Sequence, residues 1–397
     1  MKKIMMLGGN YFQATAIKAA KELGHYVISV DYLPDNPGHK FSDEYHNIST
    51  VDKEAVLKLA QELKIDGIVS YASDVSAPTA AYVAENMGLL TNPYESVMIL
   101  THKDLFRPFI EKHGFNCPKS KGFGNYEEAL EFFKTLSKPV MVKPSDSNGS
   151  KGAAKVTKEE EFKGAFDKAM SFSRQKIVIV EDFLVRDGHQ IAGDGFIVDG
   201  ELVFTGFMSE HFDKLCNPLV PIGESYPAYI SDELKQKAKS EINRLMKLLN
   251  MKFGAINMDF IIDAKGDVYI IEIGPRNGGN LITDAIKEAT GIDLAKATVQ
   301  AALGLEYDKT FKATKSNFIA SYITHALRDG TYIETKINDK IKDDILLFED
   351  LTQKGAKISA FDNAALDTGA MLIKFDSIEE MVYRMDNMEE FITVEVE

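Results

Sequence analysis

Val268-Tyr-Ile-Ile-Glu-Ile-Gly-Pro-Arg-Asn-Gly-Gly-Asn280, taken with Phe253-Gly-Ala-Ile-Asn-Met-Asp-Phe-Ile-Ile-Asp263, decides how the rest of this chain is read. Both runs are rich in β-branched and aromatic residues, and Ala264-Lys-Gly-Asp267 between them has turn chemistry, so they predict a hairpin. A turn centred between Lys265 and Gly266 sets Asp259 directly opposite Glu272. Like charges facing each other on a sheet repel, and each raises the other's pKa. A divalent cation between hard oxygen ligands removes that conflict, and Mg²⁺ typically takes one or two carboxylates plus substrate phosphates. Arg276 follows in a Gly/Pro turn, where a fixed guanidinium can grip phosphate or carboxylate oxygens. The pattern predicts the metal-and-phosphate floor of a nucleotide site. The competing reading is an open hairpin whose carboxylates face water, and the remaining sequence decides between them.

At 397 residues the chain is too long for one core and predicts about two to four domains. A net charge of -14 argues against a general nucleic-acid partner or an anionic membrane surface, because both need a basic face. Cys117 and Cys216 lie far apart without metal-ligand spacing, which fits a reducing compartment and packing roles. Met1-Lys-Lys-Ile-Met-Met-Leu7 has too short an apolar run for a leader and reads as a first strand. No stretch has the length to span a bilayer. These features together predict a cytoplasmic protein.

Residues 2–7, 26–30 and 66–71 are apolar strand-like runs separated by helical patterns such as Ala16, Ile17, Ala20 and Leu23. That alternation predicts a doubly wound parallel sheet. Gly8-Gly9 lacks the G-x-G-x-x-G spacing of a dinucleotide site, so it reads as a tight turn bordering a pocket. Thr91-Asn-Pro93 opens a helix expected to run to His113. Strand, glycine-rich turn, strand, helix and strand between Lys138 and Val180 make an α+β pattern. A hairpin is expected over 190–208, an irregular stretch over 209–228, and helices over 231–250 and 281–303. From about residue 317 the chain is strand-rich and reads as a separate cap.

Four further signals carry chemistry. Lys103 sits on the helix after Pro93. Lys143 ends the apolar strand Pro139-Val-Met-Val142, where a buried cation calls for an anion. Ser145-Asp-Ser-Asn-Gly-Ser-Lys-Gly152 is small and flexible enough to wrap phosphate oxygens in backbone N–H groups, though it is no Walker A loop. Ile177-Val-Ile-Val-Glu-Asp-Phe-Leu184 is an apolar strand ending in a hinge that suits an adenine edge and face.

In this order, Lys103, Lys143, the glycine-rich loop, Glu181-x-Phe-Leu, Asp259 and Glu272-x-x-x-Arg276 resemble the ATP-grasp superfamily of ligases, over roughly residues 1–305. Within it the chain is similar to the group of carbamoyl-phosphate synthase large chain, biotin carboxylase and the ATPase subunit of phosphoribosylaminoimidazole carboxylase. The resemblance implies an α/β and α+β fold. A Rossmann-like pre-ATP-grasp domain (residues 1–92) precedes a two-lobed ATP-grasp clamp (93–184 with the phosphate lid, 185–310 with the metal site), and a C-terminal α+β cap covers 311–397. It implies that Lys103, Lys143 and the lid residues Ser147, Asn148, Gly149, Ser150 and Gly152 hold the ATP phosphates, and that Glu181, Phe183 and Leu184 hold adenine. Asp259 and Glu272 would bind Mg²⁺, with Mn²⁺ as the alternative, while Arg276 and Lys143 would act on the transferred phosphoryl group.

Two departures stand out. The family's metal motif Glu-x-Asn-Pro-Arg has Gly274 in place of Asn, for which Asn277 or Asn257 would substitute. The ribose acid is replaced by Gln190, with Asp194 as an alternative. The function so implied joins a small-molecule carboxylate to an amine through an acyl phosphate. The rivals are a bicarbonate-activating enzyme and an ATP-binding sensor. Asp74 and His211 are candidate substrate contacts, neither nucleic acid nor membrane is an expected partner, and a homodimer is the assembly common among related ligases.

Overall fold

The computed structural model describes residues 1–397, and its first layer is the expected parallel sheet. The strands run in the order Glu44–Asn47, Tyr26–Asp31, Lys3–Leu7, Gly67–Ser70, all parallel. Both faces are covered, which is why these strands are almost continuously apolar. Met5, Leu7, Ile28 and Val30 pack on Val56 and Leu59 of the helix Lys53–Leu63. Ile4, Met6 and Val69 pack on Ile17 of the helix Ala14–Glu22 and on Val299 and Leu303, from and just after the distant helix Leu294–Ala302. The N-terminal sheet is thereby fastened to the segment that follows the hairpin of residues 254–274.

The second layer is a four-stranded antiparallel sheet, in order Ser120–Phe123, Val178–Asp182, Val140–Pro144, Ala154–Val156. Helices Tyr126–Lys134 and Glu159–Phe172 cover it through Phe133, Phe162 and Phe166. The third is an eight-stranded antiparallel sheet that carries the hairpin at one edge. One face packs on the helix Asp232–Leu248 and the other on Ile282–Thr290 and Leu294–Ala302.

Several expectations shift. The helix expected from Pro93 to His113 is two, Tyr94–Thr101 and Lys103–Lys112, because His102 is extended at φ -124°. The helix expected over 281–303 breaks at Gly291, whose φ of 81° only glycine takes without strain. The stretch 209–228 is not irregular throughout: Glu201–Phe212 and Pro221–Tyr226 are strands, and only 213–220 connects them. Strands Phe318–His325, Asp367–Phe375 and Ile345–Asp350 extend the large sheet across residue 311, while a smaller sheet of Gly330–Ile337, Lys357–Ile358 and Ile392–Val396 lies beside it. No helix is long and apolar enough to cross a membrane.

Candidate functional site

The hairpin Gly254–Ile262 and Val268–Gly274 pairs Asp259 with Glu272. The turn is not centred where the sequence suggested. Asp263 N–H donates to Asp267 O and Gly266, at φ 77°, donates to Asp263 O, so the loop is three residues centred on Lys265. Unbroken pairing from there would set Asp259 against Ile271. A bulge intervenes: Phe260 pairs with Ile270 and Asp259 with Glu272, leaving Ile271 as the extra residue. The two carboxylates therefore share one face. Burial and the Glu272 charge push the Asp259 carboxyl well up. Burial also opposes ionisation of Glu272, but Lys103, whose Nζ lies 2.9 Å from Glu272 Oε2, holds it well below the usual range. The conflict foreseen from sequence is present, and a cation between the pair would relieve it.

The break at His102 makes Lys103 the first residue of its helix, where its N–H donates to Ser145 O and its Nζ to Ser147 O at 3.0 Å. One turn later on the same face comes Arg107, which sequence reasoning missed. It is 2% exposed. Its Nε and Nη2 donate to Glu181 at 2.7 and 3.2 Å, and its Nη1 donates to Ile270 O and Ile271 O at the bulge. Lys143 Nζ reaches the same carboxylate at 2.5 Å. Despite burial, Arg107 and Lys143 hold Glu181 far below the ordinary carboxylate range. Burial lowers the Lys143 ammonium to about 8, against the pull of Glu181.

The Glu181 side chain is spent on Arg107 and Lys143 and is not free for an adenine; the hinge offers backbone groups, Phe183 and Leu184. A cleft of about 360 Å³ gathers Lys103, Lys143, Ser147, Asn148, Gly149, Ser150, Phe183, Leu184, Gln190, Asp259 and Glu272, with Glu181 at its wall. Gln190 donates to Asp259 Oδ1 at 2.8 Å, so its side chain steadies that carboxylate. Gly149 and Ser150 are both left-handed, and the lid tip is fastened across the cleft: Ser150 Oγ donates to Leu219 O and Ala364 N to Gly149 O. Gly152 does not line the cleft. At φ 76° it closes the lid's base, where a Cβ would lie 2.9 Å from Phe172.

Arg276 is 9% exposed and gives its Nε and Nη2 to the two oxygens of Asp74, with Nη1 donating to Asn277 O. Asp74 also explains Gly274: a Cβ there would stand 2.4 Å from Asp74 Oδ1. The position is glycine because the N-terminal layer's carboxylate fills the space a side chain would need. Asn277 does not substitute as a ligand. It is fully buried, its Nδ2 donates to Asp194 and its Oδ1 accepts from Thr298. Asp194 is likewise occupied, accepting from Asn257, Asn277 and Gly278 N–H; it shapes the turn and does not face a ribose.

A second cavity of about 290 Å³ is lined by Asp74, His102 and Gly274 and shares Lys103, Ser147, Asn148 and Glu272 with the cleft. Two chambers thus meet at Glu272 and Lys103. The Gly8–Gly9 turn is packed by Gln13 and His39, against which added Cβ atoms would lie 2.2 Å away. His211 is 1% exposed and bonded to Asp386 and Ser225, which leaves it no substrate-facing nitrogen.

A lid, two lysines, a carboxylate pair and an apolar hinge around one cleft define a nucleotide clamp. The family model of the carbamoyl-phosphate synthase L chain, ATP binding domain, matches residues 102–310, more than half of the chain, and the protein belongs to this family. It is 26% identical to the carbamoyl phosphate synthase large chain of Clostridium beijerinckii over 321 residues, 76% of this chain and 29% of that one. To the C-terminal section of the Aquifex aeolicus large chain it is 26% identical over 325 residues, 76% of this chain and 58% of that one. The chain thus spans less than two thirds of these relatives. Among solved structures it is similar to the L-amino acid ligase of Bacillus licheniformis, with TM-score 0.83, 19% identity and coverage of 100% and 99%. Phosphoribosylglycinamide synthetase of Anaerococcus prevotii gives TM-score 0.76 and 22% identity over 100% of both chains. The expected kinship with the ATP-grasp group, and its fold, are borne out.

Proposed function

We propose that the protein is an ATP- and Mg²⁺-dependent ligase that activates a small-molecule carboxylate as an acyl phosphate for attack by an amine. The observation that carries this reading is the meeting of the two chambers at Glu272 and Lys103. ATP occupies the larger cleft, with adenine at Phe183 and Leu184 and the phosphates under the lid from Ser147 to Ser150. The carboxylate enters the smaller chamber beside Asp74 and Gly274. Asp259 and Glu272 hold Mg²⁺, or Mn²⁺, which when bound neutralises phosphate charge. Lys103 leaves its carboxylate partner for a phosphate oxygen, and Lys143 stabilises the charge that develops on the transferred group. One substrate carboxylate oxygen attacks the γ-phosphorus and ADP departs. The amine then attacks the acyl carbon, and phosphate leaves with the oxygen it took. Positioning and charge neutralisation supply the catalysis, so no nucleophilic side chain is required.

In this reading residues 1–92 supply Asp74, 93–184 and 185–310 close as the clamp, and 311–397 back the large sheet. The net charge of -14 suits small-molecule partners better than nucleic acid or a membrane; a homodimer and a cytoplasmic location complete the proposal. Gly274 and the occupied Asn277 keep a second reading in play, an ATP-binding sensor without turnover. ADP release is measured with pooled carboxylates, with and without pooled amines, and with bicarbonate. Release that needs one carboxylate and rises with an amine is expected. Release driven by bicarbonate alone, or ATP binding without release in every pool, contradicts the proposal.

A further inference from the structure

Away from the nucleotide cleft, the connection 213–220 brings three chemically unlike side chains together. Asp213 and Cys216 lie on it, three residues apart, and His325 ends the strand Phe318–His325. One donor atom from each (a carboxylate oxygen, a thiol sulfur and an imidazole nitrogen) lies within 4.8 Å of the others. Asp213 and His325 are buried and Cys216 is half-buried. His325 Nδ1 lies 3.1 Å from Ile323 O, and Nε2 lies 2.9 Å from Asp213 Oδ2. Both partners are acceptors, yet a neutral imidazole has a single N–H. With Nδ1–H donating to the carbonyl, the Nε2 lone pair points at a carboxylate, and a metal cation between them would satisfy both.

We infer that Asp213, Cys216 and His325 form a zinc-class metal site, separate from the Mg²⁺ site of the clamp. Sulfur, imidazole and carboxylate together are the donor set of a borderline-soft ion, whereas Mg²⁺ prefers oxygen alone. Zinc bonds of about 2.0–2.3 Å put tetrahedral ligand atoms about 3.3–3.5 Å apart when one ligand is sulfur, so the widest pair needs to close by about 1.5 Å at most, while the His325–Asp213 pair at 2.9 Å opens slightly. The outer contacts that orient such ligands are in place: Nδ1 is set by Ile323 O, and Asp213 Oδ1 accepts from Leu215 N–H at 2.6 Å. Asp213 and His325 line a cavity of about 590 Å³ together with Tyr322 and Arg328. The fourth position would open on it and take water or a ligand atom. The same connection continues to Leu219, whose carbonyl receives Ser150 of the lid, so an ion there would fix the rim on which the lid rests.

The test uses the full chain, stripped with a chelator and titrated with Co²⁺ and then Zn²⁺. The expected result is one equivalent of Co²⁺ giving a thiolate-to-cobalt charge-transfer band, displaced by Zn²⁺. Co²⁺ at Asp259 and Glu272 gives no such band, since no sulfur is there. Cys216→Ser abolishes the band, and His325→Gln weakens Zn²⁺ binding at least about 10-fold, because even outer-contact losses cost roughly 10–100-fold. Cys117→Ser leaves the band unchanged; its thiol donates to Arg107 O. Metal-free melting of each variant against metal-free wild type separates ligand loss from misfolding. A band that is absent, or that survives in Cys216→Ser, overturns the inference.

Discussion

Replacing Glu181 with glutamine perturbs the clamp at its centre. The carboxylate is 4% exposed and holds two buried cations, Arg107 at 2.7 and 3.2 Å and Lys143 at 2.5 Å. Glutamine keeps the shape and one acceptor but removes the one carboxylate charge that both cations contact. Arg107 still donates to Ile270 O and Ile271 O, so it stays in place and faces Lys143 without the carboxylate that both contacted. Removing one partner of a buried ion pair costs about 3–5 kcal/mol, a large share of a typical total of about 5–15 kcal/mol. The pH dependence carries a sign. Glu181 is depressed in the folded state, so its contribution is full above the ordinary carboxylate pKa and is lost as pH falls through its folded value. Denaturant unfolding of wild type and Glu181→Gln should therefore differ by about 3–5 kcal/mol at pH 7 and converge in acid. Adding Lys143→Met should recover about 0.5–3 kcal/mol as a coupling energy, because one of the unbalanced cations goes. A variant within about 1 kcal/mol of wild type at pH 7 would refute the buried triad.

Three further outcomes follow from the same geometry. Lys143, lowered to about 8 by burial, binds fewer protons folded than unfolded as pH rises from there toward 10.5, so stability climbs across that window; a Lys143→Met protein that keeps the same rise in unfolding free energy speaks against it. Gly274→Ala should cost about 1–3 kcal/mol through overpacking on Asp74, and Asp74→Ser should recover part of that in the double variant; additive losses would mean that the Asp74 contact does not set the glycine. Glu272→Gln should lower kcat by orders of magnitude while the melting curve stays cooperative, and a substrate-matched rate near wild type sinks the metal assignment.

The sequence showed the Asp259–Glu272 pair because hairpin periodicity is local, though the turn centre was misplaced and the bulge at Ile271 supplied the compensating step. It missed the second half of nearly every long-range pair. Glu181 reads as a hinge residue until Arg107, 74 residues earlier, is seen to consume its carboxylate. Gly274 reads as a lost ligand until Asp74, 202 residues from Arg276, occupies the space. Lys103 and Arg107 one helical turn apart were a usable signal for a doubly cationic face. Ser209, Glu210 and His211 hid a strand because buried polar residues break the apolar alternation on which such readings depend. Cys216 had no ligand spacing in sequence because His325 reaches it only through two strand crossings of the large sheet.

The most direct test follows one oxygen atom. Once the carboxylate is known, it is supplied with both oxygens isotopically heavy, together with ATP and the amine, and the released phosphate is weighed. An acyl phosphate requires that one heavy oxygen leave with each phosphate, and that is the result the account predicts. Phosphate carrying only light oxygen would mean that ATP is hydrolysed by water, and the ligase reading of this site would be wrong.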